Sequence, residues 1–136
     1  MDVSLLDTDT LIEILKRKDP CVAQHAATYL QQHGQFAFSA ISRYEVLRGI
    51  KEKNALVQLQ QFLLFSQNSI VLAISDSILD RAVDLWVTAR RAGQSANDAD
   101  LIIAASAIEY RRTLATGNTA HFSWINGLKL TNWRLP

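Results

Sequence analysis

The chain has 136 residues, 49% of them hydrophobic and 20% charged, with a mean hydropathy of +0.02, a balance that supports a packed core and excludes a disordered or fibrous chain. Fourteen Lys and Arg against thirteen Asp and Glu leave a formal charge of +1, which excludes a broad basic face for non-specific nucleic-acid binding. A single cysteine, Cys21, excludes an internal disulfide and fits a reducing compartment.

No basic stretch followed by a long apolar one opens the chain, and no apolar run is long enough to span a bilayer. The expectation is a cytoplasmic protein with no membrane partner. With two prolines, five glycines, no linker-like stretch and no internal repeat, residues 1–136 read as one domain.

In chain order, the first strand-length apolar run is 3–6, and it runs into Asp7, Thr8 and Asp9. Leu11, Ile14 and Leu15 then share one helical face. Residues 20–33 read as a helix carrying His25 and His33, both expected at the surface. A strand at 36–38 precedes "SAISRYEVLRGI", in which Ile41, Tyr44 and Leu47 form an apolar stripe beside Glu45. A helix at 54–66, a strand at 70–73 and a helix with Val83, Trp86 and Val87 on one face follow. Trp86 is expected in the core. "SANDADLIIAASAIEY" reads as a helix with Leu101, Ala104, Ala105 and Ile108 on one face and Asp100 at its start. Strands at 113–115 and 128–130 bracket "TGNTAHF". The basic clusters Lys16-Arg17-Lys18, Lys51 with Lys53, Arg90-Arg91 and Arg111-Arg112 suit solvated helix ends.

Strands alternating with helices imply right-handed crossovers and a parallel sheet of four to five strands, covered by helices on both faces. A site in such a sheet lies outside the carboxyl ends of the strands. Three acids fall there: Asp7, Glu45 and Asp100. Two of them have a simpler explanation. Ser42-x-x-Glu45 and Asn97-x-x-Asp100 have capping-box spacing, as does Thr10-x-x-Glu13. Capping leaves Asp7 unexplained, because it precedes the Thr10 box and ends an apolar strand. Clustered carboxylates repel and raise one another's pKa, and a divalent ion resolves the conflict. Asp7 and Asp9 also fit a strand followed by Asp-x-Asp, as in haloacid-dehalogenase-like phosphatases with Asp7 as nucleophile. Leu11 stands where that pattern needs Thr or Val. The three histidines do not form a metal set. His121, after the fourth strand, suits a phosphate contact, a proton carrier or a plain loop hydrogen bond.

The stretches "LLDTDTLIEIL", "FSAISRYEVLRGI", "DADLIIAASAI" and "LATGNTAHFSWINGLKLTNW" resemble, in order and at family spacing, the motifs of PIN-domain ribonucleases, and more narrowly the VapC-type toxins of toxin–antitoxin pairs. The resemblance implies a three-layer α/β/α sandwich around a parallel sheet. It implies that Asp7, Glu45 and Asp100 hold Mg²⁺ or Mn²⁺ and catalyse hydrolysis of RNA, such as tRNA or another structured RNA. Asp100 takes this place over Asp98 because it precedes Leu101-Ile102-Ile103-Ala104; Asp98 becomes a helix cap or a supporting acid. Thr8, Asp9, Ser39 and Ser42 would adjoin the acids. Many members carry a fourth acid after the fourth strand; here Asn118 takes that position, which bears on whether one metal or two are held. Arg43, Arg48 and Lys51 are candidate phosphate contacts, and Arg48 is also spaced to pair with Glu45. The implied partners are the RNA substrate, a cognate antitoxin laid across the acidic groove, and a second copy in a homodimer, with Trp86, Trp124 and Trp133 as candidate interface residues. The residues alone leave the phosphatase and a non-catalytic domain binding RNA or a partner as alternatives.

Overall fold

The computed structural model describes residues 1–136. Five strands, β1 (Ser4–Leu6), β2 (Ala37–Ser39), β3 (Ile70–Leu72), β4 (Thr113–Ala115) and β5 (Leu130–Thr131), form one sheet in the order β3-β2-β1-β4-β5. Every pairing is parallel, with Ser4, Leu5 and Leu6 opposite Thr113, Leu114 and Ala115. The helices are α1 (Thr8–Lys16), α2 (Pro20–His33), α3 (Ala40–Glu52), α4 (Leu56–Gln67), α5 (Asp76–Arg91), α6 (Asp98–Glu109) and α7 (Thr119–Phe122).

The two-residue period of a strand divides the core. Leu6, Phe38 and Ala115 face a cluster with Leu11 of α1, Val22 and Tyr29 of α2, Phe62 of α4 and Trp133. Their neighbours Leu5, Ala37 and Leu114 face the other way, onto Ile103, Ala104 and Ala107 of α6 and Phe122 of α7. A third cluster joins Ile78 and Ala82 of α5 to Leu101 and Ala105 of α6. Helix α6 is thus buried on opposite sides, against the sheet and against α5, and is apolar nearly all round for that reason. This is the α/β/α sandwich with a parallel sheet of five strands.

The strand at 113–115 and the helix at 20–33 have the expected bounds; other ends shift by a residue or two. Several expectations need correction. The first helix starts at Thr8 with Asp7 as its N-cap, so the Thr10–Glu13 pair lies inside it. Ser39, whose Oγ accepts from Ile41 N, caps α3, and Ser42 sits buried within the helix. Trp86 and Tyr44 are 43% and 56% exposed. In α5 the inward stripe is Ile78, Ala82 and Ala89, because small residues let it lie close to α6; Val83 and Trp86 are left on the outer side. Trp133, by contrast, is core. Arg112 is no solvated helix end either: its Nη1 donates to Ser4 O at 3.1 Å.

No helix is long and apolar enough to cross a membrane.

Candidate active site

The order in which strands are added reverses between β1 and β4: from β1 the chain moves to β2 on one side and later returns to β4 on the other. Such a switch point opens a crevice at the carboxyl ends of the two strands. Asp7 follows β1 there and Thr116 follows β4. Asp7 N donates to Ala115 O at 2.9 Å, carrying the ladder one step beyond the strands.

Asp7 is 4% exposed. Its Oδ1 accepts from Thr8 N and its Oδ2 from Thr116 Oγ1, each at 2.8 Å. Capping therefore does explain part of Asp7, contrary to the sequence reading, and the same hydrogen bonds orient its carboxylate. Burial, then the nearby charge of Asp9, push its pKa up to about 7, against the lowering by Thr116 and Thr8.

Thr8 ties in the second acid. Its Oγ1 lies 2.8 Å from Glu45 Oε1 and 2.9 Å from Ser42 Oγ. A hydroxyl has one proton, so Thr8 donates to the carboxylate and can accept from Ser42. Glu45 projects from α3, less than two turns after the Ser39 cap. Arg48 Nη2 stands 3.8 Å from Glu45 Oε2 and its guanidinium also lies over the Tyr44 ring at 5.2 Å. The pairing of Arg48 with Glu45 is thus present, but long and 61% exposed on the arginine side.

The third acid comes from α6. Asn97 caps that helix through Oδ1 on Asp100 N at 2.8 Å, and its Nδ2 donates to Asp100 Oδ2 at 3.2 Å. The expected cap is formed, but the return contact to the Asp100 carboxylate comes from the Asn97 side-chain amide, not from its backbone N–H as in a full capping box, and it orients Asp100. His121 Nδ1 is 3.8 Å from Asp100 Oδ2. The Asp100 pKa is raised, chiefly by burial and also by Glu45 and Asp9, with His121 opposing. The charge of Asp100 is in turn felt at Asp7. Asp7, Glu45 and Asp100, which lie in three separate stretches of the chain, thus share one electrostatic neighbourhood.

The remaining candidates divide. Asp9 belongs to the neighbourhood, but its Oδ2 accepts from Gly117 N at 3.0 Å and faces Arg134 Nη2 at 3.7 Å. Asp98 is exposed in the first turn of α6. Asn118 is the cap residue of α7, yet its side chain makes no capping bond; its backbone N–H donates to Thr116 Oγ1 at 3.0 Å and its carbonyl accepts from His121 N at 2.9 Å. His121 is exposed on α7. Arg43 turns its Nε to Ser66 Oγ of α4 at 3.2 Å, which uses that donor away from any phosphate. Of the other histidines, His33 is exposed, as expected, whereas His25 is half-buried and stacks on Trp133 at 6.3 Å. Sequence reasoning passed over Thr116, Gly117 and Arg134. Thr116 stood in the quoted "TGNTAHF" directly after a strand, which was signal enough. Arg134 carried none.

No three of the acid, histidine and cysteine side chains stand ready-made as a metal cage. The donor chemistry nevertheless fits a hard divalent ion. Asp7, Glu45 and Asp100 offer carboxylate oxygens, two of these carboxyls have raised pKa values, and Mg²⁺ needs only one or two carboxylates because it keeps several waters.

Residues 4–126 match the PIN domain family. Ribonuclease VapC1 of Methanocaldococcus jannaschii is 30% identical over 128 residues, covering 93% of this chain and 85% of that protein. Among solved structures, the DNA-bound VapBC of Salmonella typhimurium superposes with a TM-score of 0.86 at 22% identity, covering 98% of this chain and 99% of the other. VapBC2 of Rickettsia felis, bound to a promoter DNA fragment, gives 0.85 at 23% identity, covering 96% and 98%. The structural likenesses establish the fold, the family match and the M. jannaschii relative establish the lineage, and this chain belongs to the PIN-domain family, in its VapC-type branch.

Proposed function

We propose that this protein is a metal-dependent endoribonuclease, the toxin of a toxin–antitoxin pair, and that Asp7, Glu45 and Asp100 are its catalytic acids. The observation that carries the reading is the shared neighbourhood of these three acids at the β1/β4 switch point, in a chain 30% identical to a protein named as a ribonuclease. Asp7, Glu45 and Asp100 would hold Mg²⁺ or Mn²⁺. Such an ion supplies an acidified water and positive charge at the scissile phosphate.

The chain's own residues do the positioning. Thr116 and the Thr8 amide orient Asp7, the Thr8 hydroxyl orients Glu45, and Asn97 orients Asp100. Exposed Arg48 on α3 flanks the acids beside Glu45 and His121 flanks them beside Asp100, with exposed Lys51 one turn further along α3. They suit backbone phosphates of a single-stranded or looped RNA such as an exposed tRNA loop, and His121 is also placed to carry a proton near Asp100.

The partners are a cognate antitoxin and a second copy of this chain. Support comes from solved structures of like fold described as a toxin–antitoxin complex and as a member of the VapBC family of toxin–antitoxin systems and from exposed apolar side chains on α4 (Leu56, Val57, Leu64) and α5 (Val83, Trp86), each at least 43% exposed. The protein is placed in the cytoplasm, and residues 1–136 are taken as one domain.

Cleavage ends in total RNA after induced expression test the activity. Discrete new ends that require Mg²⁺ or Mn²⁺ and vanish in Asp7→Asn and Asp100→Asn are the expected result. Losses for such carboxylates should reach about 100-fold or more. Ends that persist unchanged in both variants, with folds intact by circular dichroism, would remove the proposed site. Calorimetry with Mn²⁺ separates this reading from a non-catalytic domain, for which neither binding nor cleavage is expected.

A further inference from the structure

The segment after β5 returns to the acidic face, and it is held there firmly. Leu130 and Thr131 pair with Leu114 and Ala115, and Thr116 N donates to Thr131 O at 2.9 Å. Trp133, 1% exposed, packs against Tyr29 at 5.5 Å and Phe36 at 6.4 Å. Arg134 N donates to Asn132 Oδ1 at 3.0 Å, closing a turn. Arg134 is thereby delivered to the carboxyl end of β4.

Its guanidinium stands 3.7 Å from Asp9 Oδ2 and 3.9 Å from Glu13 Oε1. It also lies against Gly117. A Cβ at that position would meet Arg134 Nη1 at 2.6 Å, Arg134 Cζ at 2.7 Å and Asp9 Oδ2 at 2.9 Å. The backbone of Gly117 is not left-handed, so a side chain here would meet no backbone strain but would displace the ends of the Arg134 and Asp9 side chains. Asp9 Oδ2 accepts from Gly117 N. One residue back, Thr116 donates to Asp7 Oδ2, and one residue on, Asn118 N donates to Thr116 Oγ1. A continuous set of contacts therefore runs from Arg134 through Asp9 and Gly117 to Thr116 and Asp7.

We propose that Arg134 is a positioning residue of the catalytic face: it holds Asp9 against the Gly117 amide and so fixes the loop from which Thr116 orients Asp7. The ion pairs are long and 41% exposed on the arginine side, so they contribute little to stability; what they supply is placement. Partners of metal ligands commonly matter to metal affinity in this way. The inference rests on the reading of this face as a metal-dependent nuclease site, and two of its measurements do not require RNA cleavage.

The test uses the full chain and the variants Arg134→Ala, Arg134→Lys and Gly117→Ala. In Arg134→Ala we expect Mn²⁺ binding by calorimetry to weaken about tenfold. Exchange of the Gly117 amide by NMR should quicken, and kcat should fall while KM for RNA stays constant. Arg134→Lys keeps the charge without the planar group over Gly117 and should recover only part of the loss. Gly117→Ala should push the guanidinium away and give the same defect, and the double variant should be no worse than either single one. Unchanged Mn²⁺ affinity and unchanged Gly117 exchange in Arg134→Ala would overturn the proposal. A rise in KM at constant kcat would also overturn it, making Arg134 an RNA phosphate contact. If the unaltered protein cleaves no RNA, the ribonuclease reading fails, while Mn²⁺ affinity and Gly117 exchange still decide the role of Arg134.

Discussion

Asp7 serves as cap and candidate ligand with the same carboxylate. Its two oxygens each accept one hydrogen bond, and each carboxylate oxygen retains a further lone pair for a metal. The conflict lies in its charge. In the unfolded chain Asp7 ionises near its ordinary value of 3.8, and in the folded protein near 7. Between those values the folded state holds a proton that the unfolded state has lost. Stability of the metal-free protein should therefore fall as pH rises from about 4 to 7 and level off above, an effect on the order of a few kcal/mol. Asp7→Asn removes that penalty, so its thermal midpoint should exceed that of the unaltered protein by more at pH 8 than at pH 5. Mn²⁺ should raise the midpoint of the unaltered protein at pH 8 and leave that of Asp7→Asn in place. Equal differences at the two pH values would refute the burial of a charge at Asp7.

At the scale of the element, each acid is aimed by the start of a helix. Asp7 caps α1, and Asp100 lies three residues inside α6 under the Asn97 cap. Glu45 sits deeper in α3, reached by the Thr8 hydroxyl. Losing a cap of the Asn97 kind typically costs about 1 kcal/mol. Asn97→Ala should lower the thermal midpoint modestly, and it should weaken Mn²⁺ binding more than its stability loss explains, since Asn97 also bonds the Asp100 carboxylate. An Asn97→Asp variant keeps an acceptor for Asp100 N but sets a negative charge beside Asp100, so it should restore the midpoint and leave metal binding weak. Capping spacing was legible in the sequence at Asn97 because cap and acid meet within four residues. It misled at Thr10 and Ser42, where the caps are Asp7 and Ser39, because β1 ends at Leu6 and β2 at Ser39 itself and only the sheet decides where a strand stops.

Over the whole molecule, the C-terminal segment closes the structure. Trp133 fills the core between α2 and the sheet, while the residue after it reaches the acidic face. Trp133→Ala should destabilise by about 3–5 kcal/mol, read by denaturant titration, and should slacken Arg134 as well. The indole Nε1 has no hydrogen-bond partner, and an unpaired buried donor is unfavourable. Trp133→Phe should therefore cost far less than Trp133→Ala. A Phe variant as unstable as the Ala variant would mean that the indole itself is needed. What this chain's sequence determined by itself was the alternation of strand and helix, the parallel sheet, and the three acids at its carboxyl edge, because apolar periodicity and motif order are written in neighbouring residues. Tertiary structure alone decided which groups support those acids. Thr8 reaches Glu45 across 37 positions, and Thr116 reaches Asp7 across 109; Arg134 and Asp9 meet from opposite ends of the chain. It also decided that Trp133 is core and Trp86 surface, since helical period marks a face but the neighbour that covers it, here small residues packing α5 onto α6, is set only when the sheet and its layers close.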